Sequence, residues 1–439
     1  MKTTTKMKAR IKQIVIVAVA IVSSYTVTAQ DQSILFLNAY LHVGNGETME
    51  SASVGIEDGE ITLIKNTLTY THNVSKWDTI VDLKGQHMYP GLIAPNSTLG
   101  LTEIDAVRAT RDYQETGEIN PHVRALIAYN VESDVVATVR SNGVLITQIT
   151  PRGGMISGTS SLMHLDGWNW EDAAVAEDDG VHLNWPSSFR GWNQAVDSKE
   201  EAKRKKEYEE EKSEIYEFFR SSEAYAGNIK QELPELRLEA MREVFKGGKR
   251  LFIHANEMQQ MLDVIDFCRE FEIKYPVFIG GYDSYMILPQ LRDSKIPVML
   301  QRIHSLPDNE HDAVDLPYKL PSILKNAGIL FCLQNEGDME AMNARNIPFL
   351  AGHTMGFGLS EEEALRSVSL STCEILGIDK NYGSIETGKT ATLFISAGPA
   401  LEMMTNNVTM ALMNGMWVDL DDRQKALYNK YKKKYESQK

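Results

Sequence analysis

Apolar residues in this chain come mostly in short runs separated by longer amphipathic stretches. Near the N-terminus, residues 34–37, 52–57 and 61–64 read as strands, with a turn at Gly44-Asn45-Gly46 and a hairpin signal at Asp58-Gly59. They predict a small β-sandwich. Leu92-Ile93 is a short buried strand after the break at Pro90-Gly91, and polar residues begin directly behind it. Further strands are predicted at 143–150, 250–254, 277–280, 297–300, 329–333 and 348–351, with helical patterns such as 258–271 between them. Ser360 and Glu363 form a capping box that opens a helix with Leu365, Val368 and Leu370 facing inward. Alternation of this kind predicts an α/β fold, a (β/α)8 TIM-like barrel over about 89–378.

Two stretches break the alternation. Residues 103–130, with Arg108, Arg111, Asp112, Tyr113, Glu115 and His122, show little periodicity and read as a long loop over the barrel mouth, a natural cover for a substrate. Residues 199–212 are a dense charge run in which Glu200 and Arg204, and Glu201 and Lys205, sit four apart and support a helix. Tyr208, Ile215 and Phe219 add one apolar stripe. The charged insertion, about 193–235, is therefore either a solvated structural helix or a projecting one that packs on a neighbour. Trp168, Trp170, Trp185 and Trp192 form either an aromatic wall for a ligand or ordinary packing under a surface segment. The tail, 421–439, reads as a basic helix.

Charge and composition narrow the class. Residues 1–29 carry Lys2, Lys6, Lys8, Arg10 and Lys12, an apolar run at 14–22 and a small-residue site at Val27-Thr28-Ala29, which reads as a signal peptide; an uncleaved anchor is the competing reading. The expectation is an exported protein, periplasmic or extracellular, with no stable membrane anchor after cleavage. Removing those five cations from the net −15 leaves −20, which argues against nucleic acid as a partner. Cys268, Cys332 and Cys373 lie in apolar surroundings without metal-like spacing and read as buried thiols. There is no Gly-x-Ser-x-Gly elbow, no His-Glu-x-x-His helix and no phosphate-binding Gly-rich loop. Gly153, Gly154 and Gly158 serve either a tight turn or a close approach to an anionic group.

The stretch Pro90-Gly91-Leu92-Ile93 resembles the first-strand signature of the amidohydrolase superfamily, Pro-Gly-Leu-Ile-Asp-x-His-x-His, and the match continues only as Ala94, Asn96 and Thr98 in the places of the Asp and the two His. Residues 383–395, Gly-Ser-Ile-Glu-Thr-Gly-Lys-Thr-Ala-Thr-Leu-Phe-Ile, are similar to the family's closing Gly-Ser-Leu-Glu-x-Gly-Lys segment, with Thr392 for its Asp; the hairpin at 408–418 follows. The resemblance, closest to the imidazolonepropionase-like branch, implies that 30–88 and 379–420 build one composite domain. It also implies hydrolysis of a non-peptide carbon–nitrogen bond, in a cyclic amide or dipeptide-like compound.

In the family, imidazoles and carboxylates at strand ends hold a divalent ion that activates water. Here His254 matches the fifth-strand metal ligand, and His304 is a further metal candidate after the seventh strand. His353 and Asp283 are the catalytic candidates, near the eighth and sixth strand ends, and Asn96, Thr98, Arg108 and Arg111 the substrate-binding ones. Two functions stay open: a hydrolase with a reduced site holding one divalent ion, zinc first, and an inactive relative, without metal, that binds a small molecule or pairs with an active paralogue. Either a homo-oligomer or such a paralogue complex is compatible with the sequence.

Overall fold

The computed structural model describes residues 33–187, 198–227 and 233–437. The predicted leader at 1–29 and Trp192 lie outside the described residues.

Two eight-stranded sheets carry the fold. The first joins the two ends of the chain: β1 (Ile34–His42), β2 (Thr48–Glu57), β3 (Glu60–Asn66), β4 (Thr79–Asp82) and β5 (His87–Pro90) pair with β14 (Leu393–Ser396), β15 (Val408–Met413) and β16 (Met416–Trp417). β5 lies between β1 and β14, so the N-terminal strands cannot complete their sheet without the tail. Their inner faces bury Ile34, Phe36, Leu41, Val54, Ile56, Leu393 and Leu412 in a core of their own.

The second sheet is the barrel: β6 (Leu92–Ser97), β7 (Val144–Ile149), β8 (Ile156–His164), β9 (Ala174–Asn184), β10 (Arg250–Ala255), β11 (Pro276–Gly280), β12 (Val298–Leu300) and β13 (Phe331–Leu333). Gly91 is the hinge between the sheets. Its amide bonds the Thr392 carbonyl, and a Cβ there would press on Leu145 and Thr392 at 3.0 Å. Between β13 and β6 the ring is completed by Ser367 and Val368, whose carbonyls accept from Leu333 and Ile93. Seven of the strands run parallel, while β8 runs antiparallel to both neighbours in a long hairpin with β9.

The outer layer includes α1 (Asp134–Arg140), α2 (Ser198–Ala226), α3 (Leu236–Lys246), α4 (Met258–Glu270), α5 (Leu288–Ser294), α6 (Leu316–Asn326), α7 (Ile347–Thr354), α8 (Glu361–Arg366), α9 (Leu370–Leu376) and α10 (Arg423–Glu436). α7 corrects one expectation: 348–351 is helical, and the eighth strand is β13. Ile347, Leu350, Ala351 and Thr354 are all buried, a spacing of three and four, and Pro348 sits in the first turn, where a missing N–H costs nothing.

Within the charged insertion, α2 turns its apolar stripe inward. Tyr208, Ile215 and Phe219 are buried in the molecule's own core, with Phe219 edge-on to Phe267 of α4 at 4.8 Å. Trp168 is 93% exposed, whereas Trp185 is buried against Phe267, so the aromatic wall does not form around these two. The three cysteines are buried and free. No helix among the described residues is long and apolar enough to cross a membrane.

Candidate functional site at the barrel mouth

The C-terminal ends of the parallel strands face one side, as in barrels that place chemistry on the loops there. β6 ends irregularly: its register against β7 slips between Ala94 and Ser97, and Asn96 adopts a left-handed backbone with φ 49°. That turn aims Asn96 into a buried polar network. Its amide N–H donates to Gln148 Oε1 (3.0 Å) and its Nδ2 to Glu336 Oε2 (3.0 Å). Its Oδ1 accepts from Arg152 (2.9 Å).

Arg152 comes from the turn between β7 and β8 and makes a second bond to the Asn96 carbonyl (2.9 Å) and an ion pair with Glu340 (3.0 Å). The loop 103–130 holds that turn down. Arg152 N–H donates to the Tyr113 carbonyl, and a Cβ on Gly154 would meet the carbonyls of Glu118 and Gly117 within 3 Å. The close approach at the glycine turn is therefore to this loop's backbone.

His254, at the end of β10, faces a carboxylate on one side and a second imidazole on the other. Nδ1 stands 3.6 Å from Glu336 Oε1 and Nε2 lies 3.1 Å from Nδ1 of His182 on β9. Burial raises the Glu336 carboxyl, but the bond and charge of His254, then the charge of Arg152 and the bond from Asn96, hold it at about 2. His182 is fully buried and stacked on Phe252; burial, then the charges of His254 and Arg152, push it well below the ordinary histidine range. Its Nε2 has no partner. Behind Gln148, Asp179 accepts from Gln148 (2.7 Å) and Ser160 (2.7 Å), and burial pushes its carboxyl up to about 6.

An open cavity of about 660 Å³ lies above this network, with His254 and Glu336 in its lining. Trp185, Tyr282, Arg302 and His304 form other parts of the wall, with Glu257, Asp283, Asp308 and Asp338 supplying carboxylates. Asp283 accepts from the Met258 amide with Oδ2, while Oδ1 has no partner. Burial first, then the charges of Asp312 and Glu257, raise its carboxyl.

The structure separates several residues that the sequence grouped. His304 lines the cavity, but its ring meets His353 at 4.8 Å, and His353 stacks on Tyr318 and Phe357 and is not part of the cavity lining. His353 fails as an eighth-strand residue because it rides on α7. Arg108 is exposed, Arg111 bonds Tyr113, Thr98 is buried, and none of the three lines the cavity. Missed altogether were His182, the roles of Arg152 and Gln148, and Glu336, which ends the true eighth strand just past 331–333. That run was legible as a strand. The apolar run at 348–351 took its place in the strand order.

These residues do not fit the metal ion that the fold implies. Among the described residues no three of His, Cys, Asp and Glu come together to hold one. The Oδ1 of Asn96 is covered by a guanidinium, the Nε2 of His254 is taken up by His182, and Arg152 adds a positive charge that would repel a divalent ion.

No family model matches the chain. A curated relative, the amidohydrolase TasK of Hapsidospora irregularis, is 20% identical over 371 residues, which cover 77% of this chain and 37% of that protein. The chain thus spans little more than a third of the relative's length. Among solved structures, an amidohydrolase from Thermotoga maritima superposes with a TM-score of 0.74 at 22% identity, covering 88% of this chain and 99% of that one. A molinate hydrolase gives 0.52 at 14% identity over 89% and 95% of the two chains. A Xaa-Pro dipeptidase with bound methionine gives 0.52 at 12% over 88% and 100%. By its fold this chain is similar to solved amidohydrolases, in line with the resemblance at 90–93 and 383–395.

Proposed function

We propose that this chain is an amidohydrolase-type protein that binds a small polar molecule at the barrel mouth and does so without a resident metal ion. The observation that carries this reading is the setting of His254: its Nε2 pairs with His182 at 3.1 Å, its Nδ1 faces Glu336 at 3.6 Å, and the Arg152 guanidinium holds Asn96 in the same network. Glu336, its carboxyl held well below the ordinary range, supplies a negative charge in the cavity wall, and Arg302 is a cation in the same wall with its Nε unpartnered. A cavity with both signs suits a ligand with an amide or a zwitterion, held by charge-assisted hydrogen bonds. A second reading, hydrolysis of a non-peptide carbon–nitrogen bond, is favoured by one feature: His254 and Glu336, from the fifth and eighth strand ends, meet where the resembled family keeps its functional side chains.

One experiment addresses both readings. The purified full chain, incubated with zinc and desalted, is measured for metal content and then assayed for binding and turnover of a panel of cyclic amides and dipeptides. The expected result is no stoichiometric metal, binding without product, and affinity reduced about tenfold or more in Glu336→Gln, the scale of one lost charged hydrogen bond. About one equivalent of zinc that disappears in His254→Ala would sink the metal-free reading. Product formation would carry the second.

A further inference from the structure

A single arginine stands among the carboxylates of the mouth cavity. Glu257, Asp283, Asp308, Glu336 and Asp338 line it, and Arg302, just past the end of β12, is the only lysine or arginine among the described lining residues. In a chain with 60 acidic residues, an arginine so placed is expected to hold a carboxylate, as Arg152 holds Glu340. Arg302 does not. Its hydrogen bonds run from Nη2 to two backbone carbonyls, those of Asn335 (3.2 Å) and Asp338 (3.0 Å). Its Nε is buried without a partner, and no ion pair reaches it among the described residues.

The turn after β13 is shaped to this guanidinium. Gly337 has φ 112°, and a Cβ there would meet Arg302 Nη2 at 3.3 Å, so only a glycine lets the chain lie this close. Two carbonyls fix the guanidinium plane, yet they leave its charge uncancelled. Asn335, only 7% exposed, adds another donor on the same turn, since its Nδ2 has no partner. Buried donors without acceptors are rare in folded proteins, and two of them beside an unpaired charge point to an acceptor that arrives from outside. The charge is felt nearby: burial, then the charges of His353 and Arg302, lower the His304 imidazole, which leaves Arg302 as the cation that an anion would meet.

We propose that Arg302, with Asn335 and the 335–338 turn, is the subsite that takes a carboxylate of the bound molecule, so that the ligand is an amide with one free carboxylate, a dipeptide or an N-acyl amino acid. This rests on the reading that the cavity binds a small polar molecule. A guanidinium offers a carboxylate planar, charge-assisted donors, and the surrounding wall orients the rest. A carboxylate placed elsewhere in the cavity meets like charge, so the anionic end goes to Arg302 and the neutral or cationic end lies toward Asp283 and Asp308. A second carboxylate on the ligand has no seat.

Calorimetric titration of the full chain with N-acetylglycylglycine and with its C-terminal amide tests this. The acidic wall alone would favour the neutral amide, so a preference for the acid isolates the arginine. The acid is expected to bind at least about tenfold tighter, the scale of one charged hydrogen bond, and N-acetylglycylglutamate, with its second carboxylate, more weakly than N-acetylglycylglutamine. Arg302→Gln should bind acid and amide alike, and Arg302→Lys should keep part of the preference. If Arg302→Gln loses the amide as well, Arg302→Lys decides: a retained preference for the acid supports the subsite, and a lost one overturns it. Equal binding of acid and amide by the native chain, or a preference that survives undiminished in Arg302→Gln, would overturn the inference and leave the cavity reading standing. Binding of neither compound would overturn the cavity reading, and the subsite with it.

Discussion

At the scale of single residues, the departures from the resembled first-strand signature were visible in the sequence, but what fills the space was not. Asn96 and Thr98 stand in plain view beside Pro90-Gly91-Leu92-Ile93. What took over the space, Arg152 from a turn more than fifty residues away, had no local signal beyond the neighbouring glycines. Asp179 was equally silent, an acid in an acidic stretch that turns out fully buried. Its folded carboxyl titrates at about 6 against roughly 3.9 for an ordinary aspartate, so the folded state holds the proton more tightly than the unfolded one. The sign follows: stability from this group falls as pH rises from about 4 to about 6 and is level above that. Asp179→Asn removes the fall. Relative to the native chain it should gain about 2 kcal/mol between pH 4 and pH 7 in urea unfolding, and parallel pH profiles would refute the assignment.

At the scale of elements, strands were read better than the pieces between them. The runs at 92–93, 143–150, 250–254, 277–280, 297–300 and 329–333 all became barrel strands, because a buried strand needs only a short apolar run and a stop. α7 was mistaken for one since its apolar run is as short, and its helical period shows only when Ile347 and Thr354 are included. β8 and β9 were missed: β8 is rich in small polar residues that are buried here, and β9 carries Glu177-Asp178-Asp179, so no apolar run announces the hairpin that the two form. The loop 103–130 acts as a clamp through the glycine turn. Gly154, at φ 65° and with room for no Cβ, which would lie within 3 Å of two carbonyls of that loop, tests it. Gly154→Ala should cost more than about 1 kcal/mol and speed cleavage within 103–130 by a trace protease. Gly356→Ala, with open space around it, is the control that should leave both unchanged.

At the scale of the whole molecule, the two sheets are joined by a buried polar contact as well as by Gly91. His42 on β1 meets Glu362 on α8 at 2.6 Å and His87 on β5 at 3.0 Å, with the His42 side chain 2% exposed. Glu362→Ala should therefore lower stability by about 2–3 kcal/mol, as expected for a buried polar group left without its partner, and Glu362→Gln by less. An unchanged urea midpoint in the alanine variant would mean that the sheets dock by apolar contact alone. The sequence by itself determined the architecture: period and breaks place strands and helices, and the paired signatures at 90–93 and 383–395 tie the ends together, because short-range patterning controls which residues are buried. The character of the site was decided only in three dimensions. Arg152, His182, His254 and Glu336 come from four distant segments, and their meaning lies in which nitrogen faces which oxygen, a relation of distance and angle that no spacing along the chain encodes.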